Sequence, residues 1–264
     1  MSLTLVEGRF GKTRLCEDPL ANSDENRRRI RRLSGCVDYV LWQARRVAPG
    51  RVLVVTYKVI EPAFDHIPGV KVAHFNAIAG LDLYKDVALL IVIGRPLPSE
   101  PDLHPMVGAY FREEPVGKYG LSLRAVAMRD GNRRMMKVIQ HEDPEAEMLR
   151  AAICDDEVIR AIGRGRGVNR TADNPLEVHV LADVALPLMH DQVVRWELTC
   201  PDIFQRMLLA GIAVDSPADA AMRSRLVAFT LIPHPRHIIY CTECQVAPVS
   251  SERSRKKELM LKVW

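Results

Sequence analysis

Val87–Ile93 is an unbroken run of apolar residues, and it limits the possible folds of this chain more than any other feature. Arg51–Thr56 is a second such run, rich in β-branched residues, which favour strands. Strands that are apolar on both faces are typical of parallel sheets covered by helices. Residues 70–75 and 176–182 are further strand candidates, separated by helical or loop segments. The sequence therefore predicts an α/β protein with a mostly parallel sheet flanked by helices.

Turn and capping residues divide the rest of the chain. Asp130-Gly131 lies between two strand-like segments and predicts an inserted β-hairpin. Asp143-Pro144 predicts a helix start, because aspartate caps helices and proline suits their first position. We predict three regions: a charged N-terminal arm at 1–36, the α/β domain at 37–190, and a helical extension with a basic tail at 191–264.

The charge balance permits a nucleic-acid partner without requiring one. The chain has 37 Lys and Arg against 33 Asp and Glu, a formal net charge of +4. No apolar window is long enough to span a membrane, and the N-terminal residues lack the apolar run of a signal peptide. With six scattered cysteines, the sequence predicts a cytoplasmic protein with reduced thiols and no membrane partner.

Residues 161–170 combine arginine and glycine after a helix-patterned run and before a predicted strand. Arginine presents a planar, permanently charged fork to phosphate oxygens, and glycine lets backbone N–H groups approach them. The cluster is therefore a candidate contact for a nucleotide γ-phosphate or a nucleic-acid backbone; a solvated basic loop is the alternative. Its members are Arg164, Arg166, Arg170, Gly163, Gly165 and Gly167.

A second segment gives the cluster its context. Gly80-Leu81-Asp82 precedes the apolar run Val87–Ile93, and Gly94-Arg95-Pro96 follows it. This order, with the arginine cluster further along, resembles the second RecA-like domain of superfamily 2 helicases over about residues 37–190. Helicase-like proteins of phages and mobile elements look most similar. The resemblance implies a RecA-like fold of the helicase C-terminal type.

The resemblance also implies roles for individual residues. Arg164 and Arg166 match the paired arginines of the family's sixth motif, with Arg170 as a substitute for the second, and one acts as an arginine finger on ATP. Gly80 and Asp82 match the fifth motif, whose loop couples nucleic acid to the nucleotide. The remaining implied contacts are Gly163 and Gly165 for the nucleotide, and His74, Asn76, Arg133 and Arg134 for nucleic acid.

The chain lacks a recognisable phosphate-binding loop of its own. Gly11-Lys12-Thr13 resembles the end of a Walker A motif, but Val6 occupies the first glycine position and no strand pattern leads into it. Residues 153–157 imitate an acidic magnesium-binding motif, but their helical periodicity predicts a solvated helix edge. The resemblance therefore implies half of an ATPase, inactive alone, with ATP and Mg²⁺ held by a P-loop domain of a partner.

Four residues near the C-terminus have side chains that zinc uses, His234, His237, Cys241 and Cys244. Only three residues separate the His pair from the Cys pair, against about a dozen in common zinc fingers, so a surface turn is favoured over a metal site.

We predict the C-terminal half of an ATP-dependent helicase or translocase that binds nucleic acid, preferentially DNA. Two alternatives stay open. One is a non-catalytic nucleic-acid-binding or assembly module that retains the fold. The other is a small-molecule α/β enzyme that grips a phosphate at residues 163–167.

Overall fold

The strands of the chain form two sheets in a computed structural model that describes residues 1–77, 84 and 86–211. In chain order the strands are β1 (Ser2–Glu7), β2 (Arg51–Thr56), β3 (Val70–His74), β4 (Val87–Ile93), β5 (Tyr119–Met128), β6 (Arg133–His141), β7 (Glu177–Leu181), β8 (Met189–His190) and β9 (Gln192–Arg195). The helices are α1 (Lys12–Leu15), α2 (Ser23–Val47), α3 (Glu100–Phe111), α4 (Pro144–Gly163), α5 (Trp196–Thr199) and α6 (Ile203–Leu209). Short 3-10 helices cover Lys58–Ala63 and Gly167–Asn169.

The main sheet has six strands in the order β3-β2-β4-β7-β1-β9, and every pairing is parallel. β2 and β4 pair with Val54 opposite Ile91, and both side chains are fully buried. Because these strands are covered on both faces, they need no polar alternation. Helix α2 packs on β2 and β4, and α4 packs on β4. The predicted α/β class, with a parallel sheet flanked by helices, is confirmed, and the architecture is consistent with a RecA-like fold.

The two long helices begin at side-chain caps. The Asn22 side chain accepts a hydrogen bond from the Glu25 backbone N–H at the start of α2. At the start of α4 the Asp143 carboxylate accepts from the backbone N–H groups of Glu145 and Ala146. Such caps satisfy donors that the first helical turn leaves open. The predicted start of α4 is therefore confirmed, and α4 continues unbroken to Gly163.

The predicted hairpin is confirmed as β5 and β6, which pair antiparallel around the Asp130-Gly131 turn. Gly131 has a φ of 85°, a conformation that favours glycine. Short strand β8 pairs with β5 on its other side, giving a second sheet in the order β6-β5-β8. Val126 and Met136 on the inner face of this sheet are buried in the main core, so the hairpin lies on the body of the protein.

The prediction of a charged arm at residues 1–36 is wrong in its first part. β1 lies inside the main sheet between β7 and β9, and Leu3, Leu5 and Val6 are fully buried. β1 is as long as β2, but Thr4 and Glu7 interrupt its apolar residues, so it lacks the continuous apolar run that marks β2 and β4. Helices α5 and α6 lie in the region predicted as a helical extension from 191, but β9 precedes them and still belongs to the main sheet. The described residues belong to one compact unit, Met1–Pro233.

Candidate functional site

The arginine loop, residues 163–170, lies at the amino edge of the main sheet. It joins the end of α4 to the segment that leads into β7. A Cβ atom placed on Gly165 would collide with the side chain of Leu176, the residue before β7. A Cβ on Gly167 would lie 2.6 Å from Sδ of Met1, which precedes β1. Since all six strands run in parallel, the amino ends of β7 and β1 define this same edge of the sheet.

The loop presents its arginines in different settings. Arg164 caps the C-terminal end of α4 through its backbone N–H, and its side chain is half-buried. Arg166 is exposed and adopts a left-handed conformation with a φ of 49°. A 3-10 turn over Gly167–Asn169 then brings the chain to Arg170, which is half-buried. The predicted catalytic arginines are therefore close along one tight loop.

Arg170 is held in place by two hydrogen bonds. Its Nε donates to the carbonyl oxygen of Gly165 at 3.0 Å, and its Nη1 donates to Oδ1 of Asn174 at 2.8 Å. Its Nη2 is buried and has no hydrogen-bond partner among the described residues, and the same is true of Nε of Arg164. Burial lowers the pKa of Arg170, although nearby Asp86 opposes that shift. An anionic oxygen at this loop would supply the acceptor that these nitrogens lack.

Other arginines lie at the same edge. Arg46, near the end of α2, donates to Glu177 of β7 at 2.7 Å. A hydrogen bond from His179, and then the Arg46 guanidinium, hold the pKa of Glu177 at about 2. Arg51, the first residue of β2, lies 3.8 Å from Asp86. The sequence analysis did not predict Arg46 and Arg51 as site residues. Their positions shortly before or at the start of a predicted strand could have indicated that they lie at the amino edge.

Asp86 also shows where β4 begins relative to the arginine loop. It directly precedes β4, and it is close enough to Arg170 to affect the pKa of that residue. β4 and β7 are neighbours in the sheet, so both begin beside the loop. Gly80 and Asp82, which precede β4 in the chain, lie outside the described residues.

The hairpin reaches the same edge through Arg129, just before its turn. Arg129 Nε forms an ion pair with Oδ1 of Asp191 at 2.6 Å, and the other Asp191 oxygen accepts from the Leu3 backbone N–H at 2.7 Å. Arg129 also donates to the carbonyl oxygen of Met1 at 3.5 Å. Met1 thus contacts both the hairpin and Gly167 of the arginine loop.

The two hairpin arginines predicted to bind nucleic acid have different surroundings. Arg134 donates to the carbonyl oxygen of Val193 at 3.2 Å, so it ties the hairpin to β9. Arg133 is exposed on the opposite face of β6. Of the two side chains, Arg133 is the one that can contact an external ligand without first giving up a hydrogen bond to β9.

His74 and Asn76 are not beside the arginine loop. His74 is the last residue of β3, at the carboxyl edge, and its Nδ1 lies 2.9 Å from Oε1 of Glu61. Asn76 has a φ of 67°, and its backbone N–H donates to Glu157 at 2.7 Å. Glu157 lies about two helical turns before the end of α4. His74 and Asn76 therefore lie away from the arginine loop, which is at the amino edge of the sheet.

The segment around Gly11-Lys12-Thr13 follows a strand, contrary to the sequence-based expectation. β1 ends at Glu7, and α1 begins at Lys12. Val6, which stands at the first glycine position of the Walker pattern, is fully buried within β1. Four residues, 8–11, connect strand and helix, whereas a Walker A loop spans six residues from its first glycine to its second.

Residues 153–157 belong to a helix, as predicted, but that part of α4 is not a solvated edge. Cys154 and Glu157 are buried. Asp155 accepts from buried Arg150 at 2.8 Å, and Arg150 also binds Glu147. Asp155 and Glu157 are thus engaged within the protein, whereas Asp156 is exposed. Among the described residues no group of His, Cys, Asp and Glu could hold a metal ion, and His234, His237, Cys241 and Cys244 lie outside them.

The carboxyl edge carries a buried ion pair. Arg95, which follows β4, binds Asp183, which follows β7. Burial alone would lower the pKa of Arg95, but the Asp183 carboxylate outweighs this and raises it. Tyr57 holds the same region by donating to the Arg95 carbonyl oxygen at 2.8 Å. These contacts close the ends of β4 and β7.

No protein-family model, curated protein or solved structure matches this chain. Among the helices that the structure describes, none is both long enough and apolar enough to cross a membrane. The fold and the site together define an α/β protein with a parallel six-stranded sheet and an arginine-rich loop at its amino edge.

Proposed function

We propose that this chain is a helicase-type second RecA-like domain that binds nucleic acid and lends the arginine loop to ATP held by a P-loop domain of a partner. The observation that carries the proposal is a pair of buried guanidinium nitrogens at the amino edge, on Arg164 and Arg170, that find no acceptor in the described part of the chain. Such nitrogens favour an anionic ligand, because an unsatisfied buried donor is costly.

Two further observations support the proposal. β4 and β7 begin side by side at this edge, so the segment that contains Gly80 and Asp82 and the arginine loop lead into adjacent strands. The sheet is also consistent with a RecA-like fold. In phosphoryl transfer, a positioned arginine stabilises the negative charge that develops on the phosphoryl oxygens.

In this proposal the chain contributes positively charged arginines to the ATP site but does not supply the phosphate-binding loop. With Val6 buried in β1, the Gly11-Lys12-Thr13 segment does not complete a Walker A loop. The nucleotide and its Mg²⁺ would bind to the partner domain, and Arg164 and Arg166 would approach the γ-phosphate from the opposite side. His74 and Asn76 take no part in this proposal, since they lie at the carboxyl side of β3.

A search of the neighbouring open reading frames for a Walker A domain, followed by measurement of ATP hydrolysis by its mixture with this chain, tests the proposal. We expect hydrolysis by the mixture in the presence of DNA and none by the chain alone. Arg164→Ala and Arg166→Ala should each slow hydrolysis roughly a thousandfold, the effect of losing an arginine finger. Arg31→Ala, an exposed arginine on α2, is the matched control and should leave the rate unchanged.

Two results would contradict the proposal in different ways. DNA binding without hydrolysis by the mixture would favour a binding or assembly module. Binding of a small phosphate ester at the arginine loop, with no effect of DNA, would favour a small-molecule enzyme.

A further inference from the structure

The β5–β6 hairpin concentrates the positive charge of the whole chain. Residues 119–141 contain five Arg and Lys side chains and a single acid, Asp130. Subtracting these from the 37 basic and 33 acidic residues of the chain leaves 32 of each, so the remaining residues have no net formal charge. The hairpin therefore carries a net positive charge equal to that of the whole chain, and such a charge attracts a polyanion.

The outer face of the hairpin is also apolar. The residues that pair across it are Leu123 with Lys137, Ala125 with Met135, and Ala127 with Arg133. Directly paired residues share one face of a sheet. Leu121 is 61% exposed, and Leu123 and Met135 are each 60% exposed. Two cations, Arg133 and Lys137, are thus interleaved with large apolar side chains that nothing in the described part of the chain covers.

This combination excludes several occupants. A second copy of the chain would bring Arg133 and Lys137 against their own like charges. A duplex groove admits a free two-stranded ribbon, but here the inner face is fixed on the core through Val126 and Val138. Only the outer face is presented, and it extends roughly 20 Å from Leu121 to Ala127 along β5. Flat sheet faces bind single strands, whose bases lie on the side chains while phosphates meet cations.

We propose that the outer face of the β5–β6 hairpin is a docking surface for single-stranded nucleic acid. This inference rests on the proposed nucleic-acid-binding function and adds where the strand lies and in which form it is recognised. Leu121, Leu123 and Met135 contact the faces of unpaired bases, and Arg133 and Lys137 contact phosphates. Over the four pairs from Leu121–Ile139 to Ala127–Arg133 the face has no neutral hydrogen-bonding side chain, so it recognises charge and base faces rather than the 2′-hydroxyl.

The position of the hairpin relates this surface to the arginine loop. Arg129 and Gly167 both contact Met1, so the hairpin turn and the arginine loop meet at the amino edge. A strand lying along β5 toward Ala127 would be directed to that edge.

Fluorescence anisotropy with labelled oligodeoxythymidylate on the full chain tests the proposal. The first variant combines Leu121→Ser with Leu123→Ser, and the second combines Arg133→Gln with Lys137→Gln. All four positions are exposed, so the fold should be retained, which thermal unfolding checks. The control combines Arg27→Gln with Arg28→Gln on α2, which removes the same charge from another exposed surface.

We expect the Kd to rise roughly tenfold in each hairpin variant and to stay unchanged in the control. The charge variant should also reduce the slope of log K against log salt by about 1 to 2, whereas the apolar variant should leave that slope unchanged. A duplex of the same length should bind more weakly than the single strand. Wild-type affinity in both hairpin variants would overturn the proposal. So would equal affinity for duplex, or equally effective competition by polyglutamate, which would identify an unspecific or acidic-protein surface.

The outcome separates this inference from the function on which it rests. Should the hairpin variants bind the oligonucleotide like wild type while hydrolysis by the partner mixture depends on Arg164 and Arg166, the inference is wrong and the proposed function stands. Should the hairpin variants bind weakly while hydrolysis by the partner mixture does not depend on Arg164 or Arg166, the docking surface stands and the arginine-finger role is wrong.

Discussion

Arg95 and Asp183 join the carboxyl ends of two neighbouring strands through a two-point ion pair. Nε of Arg95 lies 2.7 Å from Oδ1 of Asp183, and Nη2 lies 3.2 Å from Oδ2. The Arg95 side chain is 2% exposed. A guanidinium buried to this degree depends on its carboxylate, because an unpaired charge in the interior is far more costly than an unpaired charge in water.

Asp183→Ala should therefore lower the free energy of unfolding by about 3–5 kcal/mol, the usual cost of breaking a buried pair from one side. Urea denaturation followed by circular dichroism measures this. Asp86→Ala is the comparison, since Asp86 pairs with Arg51 at 3.8 Å and both side chains are at least half exposed. That change should cost less than about 1 kcal/mol. Equal losses in the two variants would show that the Arg95 pair is not buried as described.

Two glycines of the arginine loop should respond to alanine with opposite signs. A Cβ on Gly165 would collide with buried Leu176, so Gly165→Ala should destabilise the protein by about 1–3 kcal/mol. A Cβ on Gly163 meets nothing within 4 Å at the end of α4, so Gly163→Ala should be neutral or stabilise by up to about 1 kcal/mol. Thermal unfolding of the two variants in parallel provides the measurement. A stabilising Gly165→Ala would contradict the packing of the loop against β7.

These glycines also show what the sequence could and could not predict. Their spacing among arginines favoured a phosphate-binding role for both, but the structure shows that Gly165 makes room for Leu176. Such a contact joins an irregular loop to a residue outside its own turn, and no local pattern reports it. The fold class was easier to predict from the sequence, because β2 and β4 are apolar on both faces. Such strands are typical of a parallel sheet that is covered by helices on both sides.

The order of the strands in the main sheet could not be predicted from local sequence patterns. β1 was missed because its burial comes from lying between β7 and β9, which are far away in sequence. The placement of His74 at the carboxyl edge, away from the arginine loop, has the same origin, since consecutive segments of a parallel α/β fold alternate between the two edges of the sheet. The convergence of Arg129 and Gly167 on Met1 likewise depends on contacts between distant segments.

Asp38 should make stability depend on pH near neutrality. It is 4% exposed on α2, and burial raises its pKa from 3.8 to about 6, although Arg206 opposes the shift. Because the pKa is higher in the folded state than in the unfolded state, the native protein binds the proton more tightly. Its contribution to stability is therefore fully present below pH 3.8 and is lost as the pH rises through about 6.

The comparison of wild type with Asp38→Asn isolates this effect from other titrations. Relative to the variant, the wild type should gain stability as the pH falls from 7.5 to 4.5 (about 3 kcal/mol at most). Urea denaturation at several pH values across this range measures the difference. A difference in unfolding free energy that does not change with pH would contradict the burial of Asp38 as an ionisable group.

The Asp191 carboxylate should control how firmly the hairpin turn is held to the amino edge. It binds Arg129 of the hairpin at 2.6 Å and accepts from the Leu3 backbone N–H at 2.7 Å, so one side chain joins the hairpin to β1. Asp191→Ala removes both contacts and should lower the free energy of unfolding by about 1–2 kcal/mol.

Hydrogen exchange should also accelerate in Asp191→Ala for the amides beside the hairpin turn, where opening becomes easier, and not in β2 or β4. Asp24→Ala, an exposed acid paired with Arg27 on α2, serves as control and should leave exchange in the hairpin unchanged. Because Arg129 lowers the pKa of Asp191, the ion pair should persist into mildly acidic solution and weaken only as the pH falls below the ordinary range of an aspartate. Unchanged exchange at the turn in Asp191→Ala would mean that the inner-face packing of Val126 and Met136 holds the hairpin by itself.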